Sequence, residues 1–540
     1  MRETHTPIWM AVTFSFLAGC LGSIPSDLSA DSDELRRRHM TTTHLDMAYL
    51  GQMDMAAAPD LKGAAGDMAH ASSLDMQQAG SPDLAHPGVS DLGTPPPAVP
   101  PPGCGNNQTE SGEACDGTDL SGLSCATVGS FKSGTLKCKS DCSAYDVSSC
   151  AAGKTIQAAG LTPSAVQAAI NSASAGDTIV LPAGISTGWS TAVNVNKPVT
   201  IQGAGIDQTT ITNLQSADVN TLTGGQAFAL SVTTTGLLRV TGLTVNGNEN
   251  GGGITIDGAE FGYVRIDHCK IFHSRTEGVG AFVYVTGLVD HSTFINNRLQ
   301  VGHYPNDPVM NDSWQVPLTL GTMKSLVMED NVFEYQAGET FDPWGSKIWS
   351  SFENGRGARL TIRHNHWTNN DINAAFYPIL DVHGNQEPVS GNMGAHRATR
   401  QTEVYENTFT NNVSASYARG ARLTYLRGGT IIMFDNVYTG PGFETSFAMN
   451  EEDGSSRFNF LSSYPGYDQH WMWLWNNKVN GTLVNSWYST LPGNDSVFIL
   501  TCTNLFWNAP STSASGQPAA SPKITSYAPL IYPHPFTTAQ

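Results

Sequence analysis

A short motif recurs through the second half of the chain: a β-rich run, one polar residue, an asparagine, one further residue and an aromatic. It reads LVMEDNVF at 326–333, LTIRHNHW at 360–367, TEVYENTF at 402–409 and IIMFDNVY at 431–438. Repeats of one supersecondary unit bury their apolar edges only by stacking on one another, so they indicate a solenoid. The shortest spacing between copies suits one coil of a right-handed parallel β-helix, and the sequence therefore predicts this all-β fold.

Stacking the motif copies places their equivalent residues in columns about 4.8 Å apart. Side-chain amides at one turn can then bond along the stack as a ladder, which we expect of Asn331, Asn365, Asn407, Asn436 and Asn476. The aromatics two residues later are expected to stack inside the coil: Phe333, Trp367, Phe409 and Tyr438. In the same register Glu329 and Arg363 face outward on adjacent coils, where a cross-strand ion pair is expected. All of these are interpreted as structural.

The first residues indicate export. Residues 8–18 are an apolar run of signal-peptide length, too short to span a bilayer. They end in Leu17-Ala18-Gly19-Cys20, which resembles a bacterial lipobox. The resemblance implies removal of residues 1–19, acylation of Cys20 and a place at the outer membrane or cell surface, with a lipid anchor as the only membrane contact. An ordinary secretory signal, cleaved nearby to give a secreted protein, is the alternative.

Two further segments precede the body of the chain. Residues 20–103 are rich in Asp-Leu and Asp-Met pairs and end in TPPPAVPPPG, a composition that predicts a disordered tether. Residues 104–150 hold an even set of cysteines that predicts three disulfides with fifteen possible pairings. These are Cys104, Cys115, Cys125, Cys138, Cys142 and Cys150. The segment resembles a small cysteine-rich repeat of secreted proteins from gliding soil bacteria, which implies a surface module of unknown ligand.

The remaining segment, 151–540, opens with a predicted capping helix. Thr162 can cap it and Pro163 suits its first turn. The following KPVTIQGAG at 197–205, with the repeats, resembles the opening of pectate-lyase-like β-helix proteins, including a bacterial group of unassigned activity. Cys269 and Cys502 are predicted to be free, buried thiols. The resemblance implies the fold and leaves the reaction open, since this fold supports many functions.

The charge balance narrows the class of partner. The chain has a formal net charge of −19, and its body also carries more acids than bases. Nucleic-acid binding requires a basic stripe, so no nucleic-acid partner is expected. We expect a monomer.

The long intervals between motif copies predict inserted loops that converge over one cleft, at 299–324, 334–358, 368–400, 410–429 and 439–470. Eight arginines lie between residues 356 and 427. We predict that one catalytic site contains Arg359, Asp381, His383 and Arg400. Substrate-binding candidates nearby are Trp344, Arg356, His396, Arg397 and Arg427.

Two reaction types suit these residues. In a polysaccharide lyase a base removes the proton next to a uronate carboxylate, whose charge a cation or arginine neutralises. The resemblance to β-helix lyases implies Arg359 or Arg400 as the base, with His383 as an alternative. It also implies calcium as a possible cofactor, held by Asp342 and Asp381. A glycoside hydrolase would use two carboxylates, with candidates Glu339, Asp342, Glu353 and Asp381, but the chain lacks the Asp-Asp pair of β-helix polygalacturonases.

The sequence therefore favours a cell-surface protein that engages polysaccharide, as a lyase-like enzyme on an acidic polymer. The alternative is a non-catalytic glycan-binding or adhesive surface protein. An enzyme requires Arg, His and Asp side chains to converge in one groove. A binding protein would present exposed aromatic platforms, for which Trp344, Trp349 and Trp471 are the candidates.

Overall fold

A computed structural model describes part of the 540-residue chain. The described ranges are 104–109, 113–217, 224–305, 318–337, 350–371, 378–384, 399–413, 422–449, 469–489, 505–507 and 527–538. The predicted signal peptide, Cys20, the tether and Cys502 lie outside them. No helix within these ranges has both the length and the apolar character needed to cross a membrane.

Three long sheets, here called A, B and C, form the body, and each coil adds one strand to each of them in that order. Neighbouring strands are parallel throughout, except the last pair of sheet B. The fold is a parallel β-helix, as the repeat predicted.

The twelve strands of sheet A are Thr155–Gln157, Thr178–Val180, Thr200–Gln202, Leu238–Thr241, Gly262–Asp267, Val285–Asp290, Leu326–Glu329, Arg359–Arg363, Gln401–Tyr405, Gly429–Phe434, Gln469–Trp475 and Leu505–Trp507. The eleven strands of sheet B are Gly184–Ile185, Thr209–Thr212, Thr244–Asn246, Lys270–Phe272, Thr293–Ile295, Val332–Tyr335, His366–Asn369, Thr408–Asn411, Val437–Thr439, Lys478–Val479 and Thr482–Leu483. The ten strands of sheet C are Val193–Val195, Gln226–Val232, Gly252–Gly258, Glu277–Ala281, Leu299–His303, Ser350–Asn354, Leu380–Val382, Thr424–Leu426, Phe447–Met449 and Trp487–Ser489.

The prediction that the long intervals are only loops is wrong. Each interval contains the sheet C strand of its coil, for example Leu299–His303 within 299–324 and Leu380–Val382 within 368–400. The sequence did not reveal these strands because they are short and carry polar residues on their outer side. Their outer positions therefore belong to a continuous sheet face.

One helix of more than a turn is described, at Pro163–Ser172. Thr162 caps it by accepting a hydrogen bond from the backbone nitrogen of Ala165 at 3.2 Å. Val166 and Ile170 are buried on one face of the helix. Two shorter helices span Cys125–Val128 and Pro535–Thr538.

Aromatic side chains fill the interior of the later coils. The rings of Phe294 and Phe333 stack at 4.9 Å, and those of Phe409 and Tyr438 stack at 4.6 Å. Trp367 lies between the two pairs in the strand register and is 1% exposed. The predicted aromatic core column is confirmed.

The predicted asparagine ladder is also present, with one correction. The side-chain nitrogen of Asn365 donates to the side-chain oxygen of Asn407 at 3.0 Å, and Asn407 donates to Asn436 at 2.9 Å. Asn436 then donates to Asn477 at 2.8 Å, so the last member is Asn477. The sequence suggested Asn476 instead. Asn476 is exposed and has a φ of 50°, because it occupies the left-handed position of the turn, one residue before the ladder position.

The cysteine-rich segment forms three disulfides, Cys104–Cys142, Cys115–Cys138 and Cys125–Cys150. It contains two small antiparallel sheets, one pairing Phe131–Gly134 with Cys150–Ala152 and the other pairing Lys137–Cys138 with Tyr145–Asp146. Cys269 is a free, buried thiol, as predicted.

The outer face of sheet A is covered by the C-terminal segment 527–538. Arg363 donates to the carbonyl oxygen of Ile531 at 2.8 Å, and Arg265 donates to that of Phe536 at 2.8 Å. Arg363 also donates through Nε to Glu329 at 2.7 Å, which confirms the predicted pair. Both partners have fully buried side chains, because the C-terminal segment lies over them.

Candidate functional site

The outer face of sheet C carries an unusual column of residues. Strand register aligns one outward position in seven successive coils: Gly280, Gly302, Glu353, Asp381, Tyr425, Ala448 and Tyr488. A column that changes from glycine to carboxylate to tyrosine has no repeating structural role. We call it the sheet C column.

At its centre Glu353, Asp381 and His383 form a compact cluster. The Nε2 atom of His383 lies 2.7 Å from Oε1 of Glu353 and 3.7 Å from Oδ2 of Asp381. All three residues are buried, with His383 and Glu353 the more exposed at 7% each. Burial alone would raise the pKa of Glu353, but the hydrogen bond and charge of His383 hold it below its ordinary value.

Arg427 completes the cluster from the next coil. Its guanidinium binds the carboxylate of Asp381 through two hydrogen bonds, from Nε at 2.9 Å and from Nη2 at 2.8 Å. The same Nη2 lies 2.9 Å from the imidazole of His383. Asp381 therefore positions Arg427, and the guanidinium places a positive charge against the histidine ring.

Tyr304 and Arg356 border the cluster on the side of the preceding coils. The ring of Tyr304 meets that of His383 edge to face at 6.1 Å, and the guanidinium of Arg356 lies 5.9 Å from the tyrosine ring. A Cβ at Gly355 would lie 3.1 Å from that of His383, so glycine leaves room for the ring. Burial, and then the charge of Glu353, raises the pKa of Tyr304 well above its ordinary value, so this phenol stays protonated.

A second carboxyl group reaches the same face from an earlier coil. Glu277 lies across Gly302, where a Cβ would come within 3.1 Å of its Cγ. Burial, reinforced by the charge of Glu353, raises the pKa of Glu277 to about 7. The face thus holds one carboxyl group that is protonated in weak acid and another that is ionised.

The four predicted catalytic residues fall on two sheets. Asp381 and His383 contact each other on sheet C. The side chain of Arg359 lies on the outer side of sheet A, donating to Thr319 at 2.6 Å. Burial lowers the pKa of Arg359 and of Arg400 to about 10, and the charge of Arg359 contributes to the shift of Arg400. The shared site of all four remains a prediction.

Of the other predicted site residues, some lie at the cluster and some lie outside the described residues. Arg356 and Arg427 lie at the cluster, as described. Arg427 forms an ion pair with Asp381 at 2.8 Å. Five candidates lie outside the described residues: Glu339, Asp342, Trp344, His396 and Arg397. Trp349 lies outside them too, and so does the side chain of Trp471.

Sequence reasoning missed Tyr304 and Glu277. Neither belongs to a copy of the asparagine motif, and both stand on sheet C strands or their ends, which the sequence did not reveal. For Tyr304 the only signal was the alternation of apolar and other residues within LQVGHY at 299–304. This run is too short to distinguish a strand from a loop.

The cluster also has the donor atoms of a metal site. One ligand atom from each of Glu353, Asp381 and His383 lies within 4.8 Å of the others. Calcium takes shells of six to eight oxygens, whereas an imidazole beside two carboxylates is typical of zinc, manganese or iron. These three residues therefore fit a transition metal better than the predicted calcium, and Arg427 already neutralises one carboxylate.

No family model matches the chain, and no curated protein does. The solved structures that match the chain include two at low similarity. An alginate lyase from Paenibacillus sp. str. FPU-7 is 18% identical, with a TM-score of 0.33, over 54% of this chain and 98% of the lyase. ORF18 of Geobacillus virus E2 is 14% identical, with a TM-score of 0.34, over 62% of this chain and 58% of its own. At these scores neither bears on the reaction.

Proposed function

We propose that this protein is a polysaccharide lyase that cleaves an acidic polysaccharide by β-elimination at the sheet C column. The observation that carries the proposal is His383, whose imidazole is bonded to the Glu353 carboxylate and lies against the Arg427 guanidinium. A base, a group that orients it and a fixed cation are what abstraction of a proton beside a carboxylate requires.

Each step can be assigned to a residue. Arg427, held in place by Asp381, binds the uronate carboxylate through its guanidinium and so acidifies the proton on the neighbouring carbon. The neutral imidazole of His383 takes that proton, and the released electron pair forms a carbon–carbon double bond as the glycosidic carbon–oxygen bond breaks. Tyr304 donates a proton to the leaving oxygen. Glu353 orients the imidazole and stabilises its charged form, as in other carboxylate–histidine pairs.

A glycoside hydrolase is the second candidate, and one observation favours it. Glu277 has a pKa of about 7 while that of Glu353 is lowered. Two carboxyl groups whose pKa values are pushed apart by their environments are the usual acid and base of glycoside hydrolysis. In that case Glu277 would protonate the leaving oxygen and Glu353 would act as the base or nucleophile.

We further propose that the enzyme works at the cell surface, held by acyl chains on Cys20 and spaced from the membrane by residues 20–103. Replacing Cys20 with serine should move the protein from the membrane fraction to the soluble fraction. The cysteine-rich module would lie between the tether and the β-helix. A variant that fractionates like the parent would remove the anchor from the proposal.

The reaction is tested by incubating the full chain with several uronate polysaccharides and following the ultraviolet absorbance of the unsaturated product. The variants are His383→Ala and Glu353→Gln, and the control is His291→Ala on the turn between sheets A and B. We expect product with the parent and the control, and almost none with His383→Ala. New reducing ends without the absorbance would indicate the hydrolase. No cleavage of any uronate polymer by the parent would favour the non-catalytic glycan-binding protein.

A further inference from the structure

The sheet C column continues beyond the cluster as a stack of alternating aromatic and cationic side chains. Tyr425 and Tyr488 occupy it on either side of Ala448. The guanidinium of Arg422 lies between the two rings, 5.5 Å from the centre of Tyr425 and 5.8 Å from that of Tyr488. Arg427 covers the other side of Tyr425 at 4.8 Å. The order along the axis is therefore Arg427, Tyr425, Arg422, Tyr488.

The small side chain of Ala448 is what makes this order possible. Strands two coils apart are separated by about 9.6 Å, twice the strand spacing, which is room for one planar guanidinium between two rings. A larger side chain at 448 would fill that space. Glu444 fixes the far end, since its Oε2 accepts a hydrogen bond from the Tyr488 hydroxyl at 2.8 Å and lies 3.7 Å from Nε of Arg422.

The two arginines of the stack are partly accessible, unlike Arg363 of sheet A. The side chains of Arg422 and Arg427 are 21% and 12% exposed, whereas that of Arg363 is fully buried. A guanidinium beside an aromatic ring keeps N–H groups in its own plane that can bind a carboxylate. A row of such groups suits a ligand that presents carboxylates at regular intervals.

We propose that Arg427, Tyr425, Arg422 and Tyr488 form binding subsites for consecutive uronate residues of an anionic polysaccharide that lies along the β-helix axis. The inference rests on the proposed function, because it places the polymer across the same column that holds His383. The coil spacing of about 4.8 Å is close to the rise of one pyranose residue in an extended chain. The guanidinium groups bind the carboxylates, and the tyrosine rings hold the guanidinium groups in position.

The test measures binding rather than cleavage. Size-defined oligouronates are titrated calorimetrically into the full chain carrying His383→Ala, so that the ligand is not consumed. Arg422→Gln is added to that background, with Arg275→Gln, outside sheet C, as the matched control. We expect Arg422→Gln to weaken binding of a hexasaccharide at least tenfold and to leave a disaccharide unaffected. Binding of the hexasaccharide should also depend less on salt in this variant.

A second variant separates a binding role from a purely structural one. Tyr488→Phe removes the hydroxyl that Glu444 accepts but keeps the ring, so it should retain most of the affinity, while Tyr488→Ala should lose it. Melting temperatures show that each variant is folded. Equal hexasaccharide affinity in Arg422→Gln and its background, or no binding of any oligouronate, would overturn the inference.

Different results would contradict the lyase proposal and the subsite proposal. Cleavage by the parent without any effect of Arg422 on binding would leave the lyase standing and remove the subsites. Binding that depends on Arg422, in a parent that cleaves no uronate polymer, would leave the subsites standing and remove the lyase.

Discussion

The turn between sheets A and B and the outer column of sheet C are built on the same repeating coil, yet they differ in kind. At the turn, one residue type recurs, and each Asn side chain from 331 to 436 bonds to the next coil. In the sheet C column, no residue type occupies more than two of the seven positions. Where one polar residue type repeats, each side chain finds a hydrogen-bond partner in the next coil. Where the residue type changes from coil to coil, chemically distinct groups lie side by side.

The arginines show the same contrast. Arg363 on sheet A is enclosed by Glu329 and by the backbone of the C-terminal segment, so its charge is neutralised inside the protein. Arg427 and Arg422 on sheet C bind carboxylates as well but keep part of their surface exposed. The arginines that cluster in the sequence therefore include both enclosed and partly exposed side chains, and only their placement on the coil distinguishes them.

The largest expected effect concerns His383. His383→Ala should lower the rate of cleavage per folded molecule about 10²- to 10⁴-fold, as expected for the loss of a general base. Asn365→Ala should lower the melting temperature and leave the rate per folded molecule unchanged. The comparison fails if the two variants lose activity to the same extent.

The next effect concerns the enclosed arginine. Arg363→Met leaves the buried Glu329 without its partner, which should lower the free energy of unfolding by about 3–5 kcal/mol. Arg422→Met, on the exposed stack, should lower it by about 1 kcal/mol or less. Urea denaturation of both variants measures the difference. Similar losses would show that the two faces do not differ as described.

The third effect is a pH dependence of stability. Burial raises the pKa of Glu403 to about 7, above its ordinary 4.5, against the hydrogen bonds from Tyr527 and Gly321. A raised pKa stabilises the fold below about pH 4.5, and this contribution is lost as the pH rises through about 7. The change amounts to about 3 kcal/mol.

Two glutamine variants check this pH dependence. Glu403→Gln on sheet A and Glu277→Gln on sheet C should both flatten the fall in unfolding free energy between pH 4.5 and 8. Because Glu277 has the same pKa of about 7, the two effects on stability should be similar. Glu277→Gln should slow cleavage if the protein is the hydrolase, and neither variant should slow it if the protein is the lyase. An unchanged pH profile in both would contradict the raised pKa values.

The smallest effect concerns the ladder. Asn365→Ala and Asn407→Ala each leave buried backbone and side-chain partners unpaired, which should cost about 1–3 kcal/mol of unfolding free energy. Asn194→Ala, at an exposed position of sheet C, should change it by less than about 0.5 kcal/mol. Thermal unfolding monitored by circular dichroism compares the three, and equal melting temperatures would remove the ladder from this account.

Structural features could be predicted from the sequence wherever the motif repeats in strict register. The Asn365 and Phe409 columns, the helix capped by Thr162 and the Glu329–Arg363 pair were all predicted from motif register or capping chemistry. The outer face of sheet C was not, because its strands are three to seven residues long and share no motif. Asp381 and His383 were found from residue type alone, while Glu353 was named only as one carboxylate among several.

Two features of the site could not have been read from the chain. The contact of Arg427 with Asp381 joins residues 46 positions apart, and several arginines between them were equally good candidates. The raised pKa of Glu277 depends on its burial and on the glycine at 302 across which it lies. Both are consequences of stacking, which a single sequence shows only where the stacked residues repeat.

The most direct test of the central claim is the mass of the products from a uronate oligosaccharide of known length. β-Elimination adds nothing, so the account predicts two fragments whose masses sum to that of the substrate, one of them unsaturated. These fragments should be absent with His383→Ala and present with His291→Ala. Fragments that together contain one additional water, or a substrate recovered intact from the parent protein, would contradict it.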